Sequence, residues 1–170
     1  GTGSNDTRHA VELTERATAL GVDGTLCVTP YYNKPNFRGL KAHYAEVARA
    51  TDRPILLYNI PSRCVIDVSN DELAELAQIE HIVGVKQANN DNLAPIDGLE
   101  VYAGNDDAFL PTLEMGGAGG ILVASHIVGD EMRRMVDEPE NRVTIDENLR
   151  DLYALMGLTT NRSRSRPRSR

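Results

Sequence analysis

Short apolar runs alternate along the chain with longer segments in which apolar residues return every three or four positions. The short runs, rich in β-branched residues and bounded by proline, glycine or asparagine, predict buried strands, and the longer segments predict amphipathic helices. Ala10, Leu13, Ala17 and Leu20 keep helical spacing after a candidate N-cap at Ser4, Asn5 or Asp6, and Gly21 supplies a C-cap. Residues 25–29 read as a strand ended by Pro30. A helix over 38–50 gathers Leu40, Tyr44, Val47 and Ala48 on one face. Residues 54–59 form the next strand, closed by Pro61, and Ser69 caps a helix running to Gln78. The stretch 81–88 reads as a buried strand, and strands follow at 99–103 and 121–124, with helices over 108–115, 126–136 and 145–155. Residues 89–98 are too polar and too short for a full helix.

Five strands that alternate with helices imply βαβ units and a parallel sheet. Two α/β folds compete, the doubly wound sheet and the (β/α)₈ barrel, and both place their sites at the C-terminal ends of strands. No GxGxxG or GxxxxGK[ST] follows any strand, so the nucleotide-binding version loses ground. The expectation is a partial (β/α)₈ TIM barrel with about five of the eight strand–helix units.

One strand carries the sharpest chemical signal. Ile82-Val83-Gly84-Val85 runs directly into Lys86, and Lys86 is one of only three lysines, with Lys34 and Lys41, against 15 arginines. Burial at a strand end disfavours the ammonium form, and the free amine that results attacks carbonyls to form a Schiff base, which arginine cannot do. The alternative is a lysine that snorkels its charge out of the sheet. Tyr58 and Arg63 follow another strand, where a tyrosine can relay protons and an arginine can hold a carboxylate in a bidentate fork. Tyr31 and Tyr32 sit in a third strand-end loop, which also reads as an interface patch.

With 41% apolar and 25% charged residues, the chain has the composition of a globular domain. Its net charge of −7 conceals two unlike parts. Residues 162–170, RSRSRPRSR, hold five arginines; the remaining 13 basic residues face 25 acidic ones, leaving a body of −12. That body argues against nucleic acid as a partner, except for nonspecific contact through the tail. The expected organisation is one domain over residues 1–158 and a disordered Arg/Ser tail over 159–170. The tail reads better as a reading-frame artefact than as part of the fold. No apolar stretch approaches a membrane span and no signal peptide is recognised, so the expected location is the cytoplasm. Cys27 and Cys64 are expected as free thiols. The four histidines lack metal-ligand spacing, so no metal is expected.

Taken in order, PYYNKP, YNIPSR, GVKQA, AGND and GGAGGI resemble the dihydrodipicolinate synthase (4-hydroxy-tetrahydrodipicolinate synthase) family of pyruvate-dependent class I aldolases. The resemblance runs from Gly1 to about Leu158. It implies a TIM-barrel lyase of lysine and diaminopimelate biosynthesis that condenses pyruvate with L-aspartate 4-semialdehyde, usually as a homodimer or homotetramer. It implies no cofactor beyond a covalent imine between Lys86 and pyruvate. Tyr58 would pass protons to and from that imine, and Tyr32 would complete the relay across a subunit interface. Arg63 would receive the semialdehyde carboxylate, while Gly104 and Ile121 would line the pyruvate pocket. An arginine at this position separates the pattern from the sialic-acid lyases of the same superfamily.

The departures from the family pattern are specific. The threonine pair that shares the proton relay would lie before Gly1, along with the first three strand units. RSRSRPRSR stands where the family continues with further helices, Cys64-Val65 replaces Thr-Gly, and Gln87 replaces a common acidic residue. The sequence therefore leaves open an inactive chain, a non-catalytic remnant that needs a partner, or another pyruvate-dependent aldolase. Asn5 and Tyr31 match two positions of the family's lysine-effector site, but His9 stands where an acidic residue is usual. The resemblance thus predicts weak or absent lysine inhibition. A lysine titration of the chain extended to full family length checks this, and half-inhibition at sub-millimolar lysine contradicts it.

Overall fold

A computed structural model describes residues 1–158, so the Arg/Ser tail expected over 159–170 lies outside the described residues. Five parallel strands, β1 (Thr25–Val28), β2 (Ile55–Asn59), β3 (Ile82–Gln87), β4 (Glu100–Ala103) and β5 (Gly119–Gly120), stand side by side in chain order. A doubly wound sheet would reverse its strand order at a switch point, and this one does not. The sequential order is that of an arc of barrel wall.

The helices fill the connections: α1 (Thr7–Ala19), α2 (Phe37–Arg49), α3 (Pro61–Cys64), α4 (Asn70–Leu76), α5 (Phe109–Glu114), α6 (Ser125–Asp137) and α7 (Arg142–Gly157). Their starts follow local chemistry. Asp6 and Asn36 accept from the backbone N–H groups of His9 and Gly39, and Ser69 forms a reciprocal capping box with Glu72. Proline at the first position of α3 pre-sets φ and loses no helical hydrogen bond, so a helical turn forms where the sequence suggested only a loop.

Strand alternation sorts the side chains into two faces. Cys27, Ile55, Leu57, Val85 and Val101 point toward the helices and join Leu40, Tyr44, Val47, Leu73 and Leu76 in one core. A second core gathers Phe109, Leu113, Met132, Met135, Ile145 and Leu149 around the end of β4. Leu26, Val28, Leu56, Tyr58, Lys86 and Tyr102 occupy the opposite face and stay half-buried. The register skips one residue at Val83, so that Ile55 pairs with Ile82 but Leu56 with Gly84. Gly84 is required there, because a Cβ would lie 2.7 Å from the Glu100 carbonyl oxygen and 2.8 Å from Leu56.

Two expectations need correction. The last strand is Gly119–Gly120, not residues 121–124. Gly119 and Gly120 pair with Tyr102 and Ala103, and the Ile121 N–H still donates to Ala103 at 2.9 Å. Asp106 Oδ1 then accepts from the N–H groups of Val123 and Ala124, at 2.9 and 3.0 Å, and turns the chain out of the sheet. Leu20 does not join the apolar face of α1 and is 84% exposed. Thr14 is buried there instead, its hydroxyl donating to the Ala10 carbonyl.

Leu57 is 1% exposed at the centre of the first core. Leu57→Ala is expected to destabilise the chain by about 2–5 kcal/mol through the lost contacts and the cavity left behind. Urea denaturation followed by circular dichroism measures this; a loss below about 1 kcal/mol would contradict the packing described.

Candidate functional site

Parallel register fixes the centre of the site. Tyr58 pairs with Lys86, and Lys86 pairs with Tyr102 on its other side, so all three project from the same face near the C-terminal rim. The Lys86 ammonium nitrogen, Nζ, lies 4.2 Å from the centroid of the Tyr58 ring. The side chain is therefore held across the sheet rather than snorkelling away from it. Burial pushes the Lys86 ammonium below the usual lysine range, and the nearby Asp106 carboxylate partly offsets this. Burial and the neighbouring Cys64 thiol push the Tyr58 phenol up, while Arg63 pulls it down. At neutral pH the pair is thus a partly desolvated amine beside a protonated phenol.

The rim around this pair is tightly tied. The Thr29 hydroxyl donates to the Tyr58 carbonyl at 2.9 Å, and the Cys64 thiol donates to the Thr29 carbonyl. Gly104 follows β4 and donates its N–H to the Gln87 carbonyl at 2.7 Å. A Cβ on Gly104 would come within 2.7 Å of Gln87 O and Ala88 Cβ, so glycine is needed for this close approach. Ile121 is hydrogen-bonded to the end of the same strand. Asn105 spans from the Ala88 carbonyl to Asn90 Oδ1.

The other expected residues surround this centre more loosely. Arg63 is exposed on α3, within electrostatic range of Tyr58. Tyr32 is 85% exposed and held at φ 75°, outside the hydrogen-bonded rim. Tyr31 is also exposed, and its loop meets the Asn5 segment where Asn33 Nδ2 donates to the Asn5 carbonyl at 2.8 Å. The structure thus joins Lys86 with Tyr58, sets Gly104 and Ile121 at neighbouring strand ends, and leaves Tyr32 and Arg63 open to solvent. A cavity of about 1010 Å³ opens from Gly104, Asn105 and Asp106 toward Tyr153 on α7. Neither Lys86 nor Tyr58 lines it, so the amine faces the open side of the sheet.

Asp106 was not singled out from the sequence. It both orients the turn after β5 and raises the charge preference of Lys86. Its signal was the acidic pair directly after a strand end. Cys27 and Cys64 are free and buried; burial pushes the Cys27 thiol up to about 12, which leaves it protonated and inert. Among the described residues, no group of three or more His, Cys, Asp or Glu side chains is placed to hold a metal ion, and no helix is long and apolar enough to cross a membrane.

A profile of the dihydrodipicolinate synthetase family matches residues 1–163. The chain belongs to this family. It is 49% identical over 144 residues to the 4-hydroxy-tetrahydrodipicolinate synthase of Listeria monocytogenes, covering 80% of this chain and 49% of the relative. It is 46% identical over 143 residues to 4-hydroxy-tetrahydrodipicolinate synthase 2 of Halalkalibacterium halodurans, again over 80% and 49%. Among solved structures, the chloride-inhibited dihydrodipicolinate synthase of Acinetobacter baumannii complexed with pyruvate superposes with a TM-score of 0.88 at 36% identity, over 95% of this chain and 60% of that one. The fold is accordingly part of a TIM barrel. The chain spans about half the length of the curated relatives it matches.

Asp106→Asn keeps an oxygen for the two backbone donors and removes the negative charge that stabilises the Lys86 ammonium. The pKa of Lys86 is expected to fall further, so its free amine appears at lower pH. The pH dependence of reductive methylation at Lys86, followed by peptide mass spectrometry, measures the shift. A midpoint that stays put or rises would show that Asp106 does not act on the amine.

Proposed function

We propose that this chain carries the Schiff-base half of a 4-hydroxy-tetrahydrodipicolinate synthase site. The observation that carries the reading is the Lys86 amine, desolvated and held over Tyr58 at the C-terminal rim of a parallel sheet. The free amine adds to the ketone carbon of pyruvate and expels water to form the imine. The imine draws electrons from the adjacent methyl carbon, which loses a proton and becomes the enamine nucleophile. That carbon attacks the aldehyde of L-aspartate 4-semialdehyde, whose own amino group then displaces the Lys86 nitrogen and closes the ring. One water is released overall, and no external cofactor takes part.

Tyr58 sits beside Lys86 and moves protons during imine formation and release; its raised pKa keeps the phenol protonated between transfers. Arg63, exposed on the loop beyond Tyr58, receives the semialdehyde carboxylate. Gly104 and Ile121 border the pyruvate site through their backbone. Tyr32, extended into solvent, reaches a neighbouring subunit in a homodimer or homotetramer, and Asn5 with Tyr31 forms part of an effector site. The reading places the enzyme in the cytoplasm, with residues 1–158 as its synthase domain.

Incubation with pyruvate and borohydride is expected to add one reduced pyruvyl unit at Lys86. The adduct should disappear in Lys86→Arg and form much more slowly in Tyr58→Phe, by about 10²-fold or more. Absence of any adduct on the chain extended to family length would overturn the assignment, as would labelling of Lys34 or Lys41 in its place.

A further inference from the structure

The strand alternation that exposes Tyr58 and Lys86 on one face sends their successors, Asn59 and Gln87, to the other. Both are 1% exposed, and the two residues pair in register at the strand ends. Asn59 Nδ2 lies 2.9 Å from Asp67 Oδ1, 3.2 Å from the Val68 carbonyl and 3.1 Å from Gln87 Oε1, while Asn59 Oδ1 accepts from the Val68 N–H at 3.2 Å. The side-chain amide of Asn59 therefore pairs with the backbone of Val68 in both directions, as a neighbouring strand would. Asp67 Oδ2 accepts in turn from Asn89 and Asn92, at 2.8 and 2.9 Å, and Gln87 Oε1 accepts from the Asn89 N–H.

The segment closed by this pairing, residues 60–68, contains α3 and Arg63. Asn59 is its first neighbour and Val68 its last residue, so one buried amide joins the two ends. The loop contains a costly backbone conformation, since Val65 is β-branched and holds φ 73°. The Arg63 N–H donates to the Ile60 carbonyl at 3.0 Å, and its side chain makes no hydrogen bond or ion pair among the described residues. The position of the side chain is inherited from the loop, which the Cys64 thiol ties to the Thr29 carbonyl and Asn59 closes at its ends.

We propose that Asn59 is a positioning residue for the carboxylate of the second substrate: it closes the Arg63 loop and ties that loop to the strand end beside Lys86. The proposal rests on the reading of Arg63 as the carboxylate receptor. Asp67 and Gln87 are its supports, one gathering the loop after β3 and the other locking the two strand ends together. A buried amide suits the task because opening the loop leaves both its own groups and the backbone groups of Val68 unpaired away from water.

The test uses the whole 170-residue chain and two readouts. Amide exchange at Val68 reports loop closure, and the protection of Arg63 from phenylglyoxal by L-aspartate 4-semialdehyde reports carboxylate binding. Asn59→Ala is expected to speed Val68 exchange about tenfold or more and to remove the protection of Arg63, while Lys86 is still trapped by pyruvate and borohydride. Asn59→Asp sets two carboxylates against each other and should behave alike. Adding Asp67→Asn to it restores an N–H···O pair across the same gap and should recover both readouts in part. If Asn59→Ala does not fold, the exposed Asp67→Ala decides, with smaller changes in the same direction. Unchanged Val68 exchange, or a double variant no better than Asn59→Asp, overturns the proposal. If exchange responds but Arg63 is unprotected even in the parent chain, loop closure stands and the role given to Arg63 fails.

Discussion

Everything at this site depends on one geometric constraint: in a parallel strand, consecutive side chains must leave on opposite faces. Tyr58-Asn59 and Lys86-Gln87 are two such steps placed side by side by register. The first member of each step meets the open face, and the second is sealed among the helices. Chemistry and its mechanical support are therefore one residue apart in sequence and a sheet's thickness apart in space. A one-residue slip of either strand would exchange them. Register is defended by Gly84, whose missing Cβ admits Leu56 and Glu100, and by Gly104, which lets the end of β4 close on Gln87.

The electrostatics of Lys86 follow from opposing terms. The ring of Tyr58 attracts the ammonium, an effect on the order of 0.5–2 kcal/mol, and Asp106 acts in the same direction. Burial acts against the charged form and outweighs Asp106, pushing the ammonium below the usual lysine range. Because the lysine remains only partly buried, the balance is adjustable rather than extreme. In the proposed reading, Lys86 is protonated at rest and deprotonated for attack, with Tyr58 at hand for either transfer.

Much of this was legible in the sequence because the relevant signals are local. Apolar runs ending at Pro30, Pro61 and the polar stretch after Lys86 marked three strand ends, and the apolar face of α2 is buried residue by residue as its periodicity implied. The last strand was misplaced because the sequence shows hydrophobicity and not hydrogen-bond partners. Residues 121–124 are more apolar than Gly119-Gly120, yet Asp106, from a different connection, captures the Val123 and Ala124 amides. Leu20 was misread for a related reason: helical spacing persists past the point where the chain leaves the core. The Asn59–Asp67–Gln87 cluster had no sequence signature beyond an asparagine and a glutamine at the ends of otherwise apolar strands. A polar residue at such a position reads as a strand terminator until its partners are seen.

The cluster lies on the helical side of the rim, opposite the face that carries Lys86 and Tyr58. Leu26, Val28, Leu56 and Tyr102 share the face of Lys86 and are half-buried across the described residues. On the helical side the strand ends are joined by directional bonds as well as by packing. Asn59 supplies them at the one junction where the end of β2, the end of β3 and the return of the Arg63 loop meet. Apolar contacts of equal area would hold these segments together without fixing their separation. A buried amide that pairs with backbone in both directions fixes it, because every displacement leaves a polar group unpaired away from water.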